Sequence, residues 1–135
     1  MNIKIKLSVV VFLFISVACN SNPPLNQQEK SAIKVVAPQE FSEMSKNQII
    51  IDIRTPDEYH SGYIEGAVNI NYFDSDFIEK ISKLDKSAPL YLYCRSGNRT
   101  SLASAKLAKL GFVEIIDLQG GILNWNSENL QTIKK

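Results

Sequence analysis

From Ala32 onward, short apolar runs alternate with polar stretches in which apolar residues recur every three or four positions. That alternation is the rhythm of β-strands joined by crossover helices, and it predicts an α/β fold. Strands are predicted at Ala32 to Val36, Gln48 to Ile53, Ala67 to Ile70, Leu90 to Tyr93 and Val113 to Leu118. The uninterrupted Ile49-Ile50-Ile51 suggests a strand buried on both faces, as in the middle of a parallel sheet. Pro38 suits the first turn of a helix running to about Ser45, and Pro56 opens a short one through Tyr59. Asp74 to Leu84 carries Phe77, Ile81 and Leu84 on one helical face; Thr100 to Leu110 carries Leu102, Ala103, Leu107 and Leu110 on another. Gly62 and Gly66 bracket a turn, Gly111 ends the Thr100 helix, and a last short helix surrounds Trp125. The chain has no internal repeat and no low-complexity tract.

The first thirty residues break that rhythm. Met1 to Lys6 carries two lysines and no acid, and Leu7 to Ala18 is almost wholly apolar, the layout of an export leader. Those twelve apolar residues would span only about 18 Å as a helix, against roughly 30 Å of hydrocarbon. A signal peptide over residues 1–18 is therefore expected, not a permanent transmembrane anchor. Ser16-Val17-Ala18-Cys19 resembles the bacterial lipobox, which implies cleavage before Cys19 and a lipid on its sulfur. Ser16 stands where that pattern prefers Leu, and an ordinary signal cut near Ala18 is the alternative. The resemblance implies a protein anchored to the membrane through Cys19, in the bacterial cell envelope and facing the periplasm. Asn20 after the Cys favours the outer membrane over the inner one. Residues 19–30 are polar, contain Pro23-Pro24 and offer too few apolar side chains to offset ordering entropy, so a flexible tether is expected. Residues 31–135 then make one domain of ordinary size.

Composition narrows the partners. A hydrophobic fraction of 44% and a charged fraction of 21% belong to a globular protein. Fifteen Lys and Arg against fourteen Asp and Glu give +1; loss of Lys4 and Lys6 with the leader leaves 13 against 14, or −1. The cations are scattered and form no stripe, which argues against nucleic acid as a partner. A monomer is expected. With Cys19 acylated, Cys94 cannot close an internal disulfide, and a lone thiol in an exported domain needs a chemical reason. One histidine, His60 in a polar turn, and one uncommitted cysteine cannot assemble a four-ligand zinc site, so no metal is expected.

The chemical reason lies in Cys94-Arg95-Ser96-Gly97-Asn98-Arg99-Thr100, between a hydrophobic strand and an amphipathic helix. A helix N-terminus leaves its first amides without internal partners and favours an anion there. Gly97 permits backbone angles at which successive amides converge, and Arg95 and Arg99 add two permanent charges. These features favour the thiolate, which is the nucleophilic form. It can attack a sulfane sulfur and hold it as a persulfide, whose terminal sulfur the same amides would stabilise.

The ordered motifs resemble the rhodanese family. Asp52-Ile53-Arg54 with Glu58-Tyr59, Gly62, Ile64, Gly66-Ala67 and Asn69-Ile70 is similar to its first signature; the Cys94 to Arg99 run is similar to its active loop. Gly120-Gly121 followed by Trp125 resembles its closing motif. Tyr63 departs from the pattern, which commonly has His before the Ile. The resemblance implies a central five-stranded parallel sheet with helices on both faces, and sulfur transfer through a Cys persulfide without cofactor. It implies Cys94 as the nucleophile, Arg95 as a substrate-binding residue, and Ser96, Gly97, Asn98 and Arg99 as the amide cradle. Asp52, Arg54 and Glu58 read as an ion-pair network supporting the loop, and Trp125 and Tyr93 as core or loop supports. The partners expected are a small anionic sulfur donor and a thiol or cyanide acceptor.

Two other functions use similar parts. A Cys-dependent phosphatase or arsenate reductase also cradles an anion, but such phosphatases place five residues between Cys and Arg where Cys94 and Arg99 enclose four. A docking module without catalysis is the other, and inactive members of the family commonly lose the Cys that this chain keeps.

Overall fold

A computed structural model of the chain describes residues 32–134. The predicted leader, Cys19 and the tether fall outside the described residues. Five strands and five helices alternate: β1 (Ile33–Val36), α1 (Pro38–Met44), β2 (Ile50–Asp52), α2 (Pro56–His60), β3 (Ala67–Asn69), α3 (Phe77–Ser82), β4 (Leu90–Tyr93), α4 (Asn98–Lys109), β5 (Ile115–Leu118) and α5 (Gly121–Ser127). The strands form one sheet in the order β1-β5-β4-β2-β3, and every neighbouring pair is parallel. Parallel strands need long crossovers, and the helices that supply them cover both faces. Among the described residues no helix is long and apolar enough to cross a membrane.

The central strand shows why this sequence makes this sheet. All four residues of β4 are buried, and successive side chains point to opposite faces. Tyr91 and Tyr93 enter a core with Phe41, Ile122 and Trp125; Leu90, Leu92 and the following Cys94 enter another with Phe77, Ile81, Ala103 and Leu107. A continuous apolar run therefore serves two cores. In β2, Ile50 and Ile51 do the same, but Ile49 is 53% exposed because the paired register begins only at Ile50.

The Thr100 helix also departs from expectation. It starts two residues earlier, so Asn98 and Arg99 occupy its first turn, and its buried stripe is Thr100, Ala103, Ser104 and Leu107. Leu102 is off that stripe and 60% exposed, and Leu110 lies beyond the last helical residue. Two hydroxyls thus take inward positions that a count of apolar residues assigns to leucines. The third helix is shorter than the Asp74 to Leu84 stretch, with Phe77 and Ile81 as its buried face.

Two ion pairs hold the end of the sheet at which the strands finish. Asp52 and Arg54 are 0% and 3% exposed, and the guanidinium forks onto the carboxylate through Nε at 2.9 Å and Nη2 at 2.6 Å. Nη2 also donates to the Gly62 carbonyl at 2.8 Å, which braces the turn after α2. The second pair begins with a capping box: Thr55 Oγ1 accepts from the Glu58 amide, and Glu58 accepts from the Thr55 amide. The same carboxylate takes both terminal nitrogens of Arg99, at 2.7 and 2.6 Å, tying α2 to the first turn of α4. The expected network is therefore two separate pairs. Hydrogen bonding from Arg99 holds the Glu58 carboxyl down at about 2.

Removing one partner of a buried pair leaves an uncompensated charge, so Arg54→Ala is expected to cost about 3–5 kcal/mol in urea unfolding. A loss below about 1 kcal/mol would contradict that role. Glu58 is depressed in the folded chain relative to an unfolded value of about 4.3, so its contribution is present above that pH and lost as pH falls towards 2. Glu58→Gln should lower stability by about 1 kcal/mol at neutral pH. The gap from the parent should close between about pH 4 and pH 2, and a gap independent of pH would exclude the pair as its source.

Candidate active site

β4 delivers Cys94 to the end of the sheet, and three loop residues separate it from α4. The turn is made possible by Gly97, whose φ of 95° lies in the left-handed region that favours glycine. With the chain folded back, the Gly97 amide donates to Cys94 Sγ at 3.1 Å, and Thr100 Oγ1 lies 3.8 Å from the same sulfur. Thr100 also donates to the Gly97 carbonyl at 3.0 Å, closing the loop on itself. The sulfur sits over the N-terminal end of a twelve-residue helix, where the helix dipole favours negative charge.

The other side of the loop is held by α5. Ile122 and Leu123 donate their amides to the carbonyls of Cys94 and Arg95 at 2.9 and 3.1 Å. The approach is so close that a Cβ on Gly121 would lie 2.5 Å from the Cys94 carbonyl oxygen, so only glycine fits. Trp125 anchors the same helix, packing edge-on against Phe41 and donating its indole N–H to the Gln131 carbonyl at 3.0 Å.

The residues singled out in sequence meet here to different degrees. Cys94 is central and 1% exposed, so its sulfur is recessed beneath the loop. Among the described residues, the backbone donor that reaches Sγ is Gly97; Ser96 and Asn98 are exposed. Arg95 is exposed on the rim of a cleft of about 200 Å³, with Arg54, Glu58, Leu123 and Asn126 on its walls. Cys94 does not line that cleft. The Arg99 guanidinium faces Glu58 and lies 5.6 Å from the Phe73 ring, so its side chain braces the loop.

Asp52 and Arg54 reach the loop through Tyr93. Arg54 lies 5.5 Å over the ring of Tyr93, and the Tyr93 hydroxyl accepts from the Ile64 amide at 3.1 Å. Burial, with the Asp52 charge beside it, pushes the Tyr93 hydroxyl far up and keeps it neutral. Sequence reasoning did not single out Thr100 as a contact of the sulfur, Phe73 as a support for Arg99, or Asp117 on β5. Phe73 is 65% exposed, with the Arg99 guanidinium over its ring and Tyr72 edge-on beside it.

Known proteins agree with this geometry. The family model described as Rhodanese-like domain matches residues 37–128. The chain is 35% identical over 99 residues to "Thiosulfate sulfurtransferase GlpE" of Ectopseudomonas mendocina, covering 72% of this chain and 88% of that protein. It is 32% identical over 119 residues to "Adenylyltransferase and sulfurtransferase UBA4" of Lodderomyces elongisporus, covering 79% of this chain but only 25% of that longer protein. Among solved structures, a rhodanese-related protein from Thermoplasma volcanium superposes with a TM-score of 0.68 at 28% identity, covering 76% of this chain and 99% of that one. Since the family match runs from the start of α1 to the end of α5 and takes in the whole Cys94 loop, the chain belongs to the rhodanese-like domain family.

Proposed function

We propose that the protein is a sulfurtransferase, moving a sulfane sulfur from a donor such as thiosulfate or polysulfide to a thiol or cyanide acceptor through a persulfide on Cys94. The observation that carries this reading is the Gly97 amide donating to Cys94 Sγ at the N-terminal end of α4. A preorganised donor and a helix dipole aimed at one sulfur stabilise an anion there, first the thiolate and then the persulfide. With thiosulfate, the thiolate attacks the outer sulfur, the S–S bond of the donor breaks, and sulfite leaves with the bonding pair. The acceptor's lone pair then attacks the terminal persulfide sulfur, and Cys94 departs as thiolate. Atoms and charge balance over the two steps without an added cofactor.

Arg95, exposed at the cleft rim, is suited to attracting an anionic donor. The printed name of the Ectopseudomonas relative supports the thiosulfate class of donor. The phosphatase reading loses support from Arg99, because both of its terminal nitrogens are engaged by Glu58 and so are not directed at a bound phosphate.

Purified protein given thiosulfate and cyanide is expected to release thiocyanate, and Cys94→Ser should fall to background. Its melting temperature should stay within the few degrees that about 1 kcal/mol moves a domain of this size. Turnover by a folded Cys94→Ser variant would refute the persulfide route. The lipid anchor is a separate proposal drawn from Ser16 to Cys19. Full-length chain made in a bacterium with labelled palmitate should take up label, and Cys19→Ser should not; an unlabelled parent, or equal labelling of both, would refute it.

A further inference from the structure

The cleft that Arg95 borders is assembled from four parts of the chain: α2 with its flanks, the Cys94 loop, α5, and the C-terminal segment at Thr132. Hydrogen bonds lock those parts together. Arg54 Nη2 donates to the Gly62 carbonyl at 2.8 Å, and Tyr63 and Ile133 exchange amide-to-carbonyl bonds at 2.9 Å each. The Trp125 indole holds the Gln131 carbonyl at 3.0 Å, and the Leu123 amide holds the Arg95 carbonyl at 3.1 Å. The walls are therefore preformed, as ligand sites usually are. Transfer of sulfur to cyanide asks for no such cleft.

Of the charged residues that line it, Arg54 is matched by Asp52, and Glu58 by Arg99. Arg95 is not: among the described residues its guanidinium has neither ion pair nor hydrogen bond. The Asn126 carboxamide and the Thr132 hydroxyl also line the cleft, and neither side chain has a hydrogen-bond partner among the described residues. Leu123, 47% exposed, adds an apolar patch. The cleft thus offers one uncompensated positive charge, two neutral groups that each donate and accept, and a surface for methylenes.

We propose that this cleft seats the sulfur acceptor, and that the acceptor is a small thiol carrying a free carboxylate and a peptide amide, the chemistry of an N-acylated cysteine or a short cysteine peptide. The fork of Arg95 suits a carboxylate, and Asn126 and Thr132 suit an amide. Thiosulfate has neither amide nor methylenes and would use Arg95 alone. Arg95 is the chain neighbour of Cys94, about 3.8 Å away between Cα atoms, so a thiol held there is close to the loop that carries the persulfide. The two anions use Arg95 in turn, since sulfite has left before the acceptor reacts. The acceptor thiolate then attacks the terminal persulfide sulfur, the bond from that sulfur to Cys94 Sγ breaks, and Cys94 departs as thiolate while the acceptor leaves as its own persulfide. The inference rests on Cys94 as the sulfur carrier.

Binding is tested without any sulfur on the protein. N-acetyl-S-methylcysteine, which cannot accept sulfur, should shift the amide resonances of Arg95, Leu123 and Asn126 when titrated into the isotope-labelled full chain. Discharge is tested on chain already loaded with sulfur, using N-acetylcysteine, its carboxamide, which lacks the carboxylate, and 3-mercaptopropionate, which lacks the amide. Ratios of parent to variant rates cancel the intrinsic reactivity of each thiol. Arg95→Gln should slow the two carboxylate thiols about threefold to tenfold more than the carboxamide, the range one hydrogen bond is worth. Asn126→Ala should slow the two amide thiols more than 3-mercaptopropionate by a similar factor. Both side chains are exposed, so both variants should keep the parent's melting curve. Resonance shifts that miss these residues, or variants that slow all three thiols equally, would overturn the proposal. A chain that takes up no sulfur would refute the sulfurtransferase reading instead, and the titration would still decide whether the cleft binds the analogue.

Discussion

The carbonyls of Cys94 and Arg95 point into the first turn of α5, where the amides of Ile122 and Leu123 receive them at 2.9 and 3.1 Å. Most of the site depends on this backbone contact. It turns the orphan amides of one helix start into a clamp on the loop, which then presents Sγ to the amide at the start of another. Gly121 permits the contact because no side chain fits between α5 and the loop. Trp125 preserves it by fastening α5 to Phe41 and to the C-terminal segment. The glycine pair and the tryptophan, distant in sequence from Cys94, therefore act on it through backbone.

Charge is arranged around the loop in layers. The buried Asp52–Arg54 fork lies against the ring of Tyr93, the residue just before Cys94, and joins it to the Gly62 turn. The half-exposed Glu58–Arg99 pair ties the start of α4 to α2. Arg95 alone of these cations stands exposed at the cleft rim. Two guanidiniums hold the frame, and the third lies at the cleft.

The alternation of apolar runs made the five strands and their parallel pairing legible, because a short run such as Leu90 to Tyr93, preceded by Pro89, has the length and bounds of a strand buried on both sides. Where pairing begins was not legible. Ile49 looks identical to Ile50, and only the register with Ala67 and Tyr91 separates them. The same limit applies to α4, where Thr100 and Ser104 face inward and Leu102 outward. Hydrophobicity does not reveal that a core has a polar strip to accommodate. Cys94 and its loop were readable from their motif, whereas the Glu58–Arg99 pair spans 41 positions and needs the fold to bring its partners together. Thr100 was in view as part of the motif, but its contact with the sulfur required the turn that Gly97 makes.

Cys94 is 1% exposed, and its sulfur accepts from an amide at a helix start, an arrangement that favours an anion over a neutral thiol. Tandem mass spectrometry of the chain after brief thiosulfate treatment asks directly whether it carries sulfur. The account predicts one added sulfur atom located on Cys94 and removed by cyanide. A chain that gains no sulfur from thiosulfate or polysulfide, or gains it at a position other than Cys94, would contradict the account.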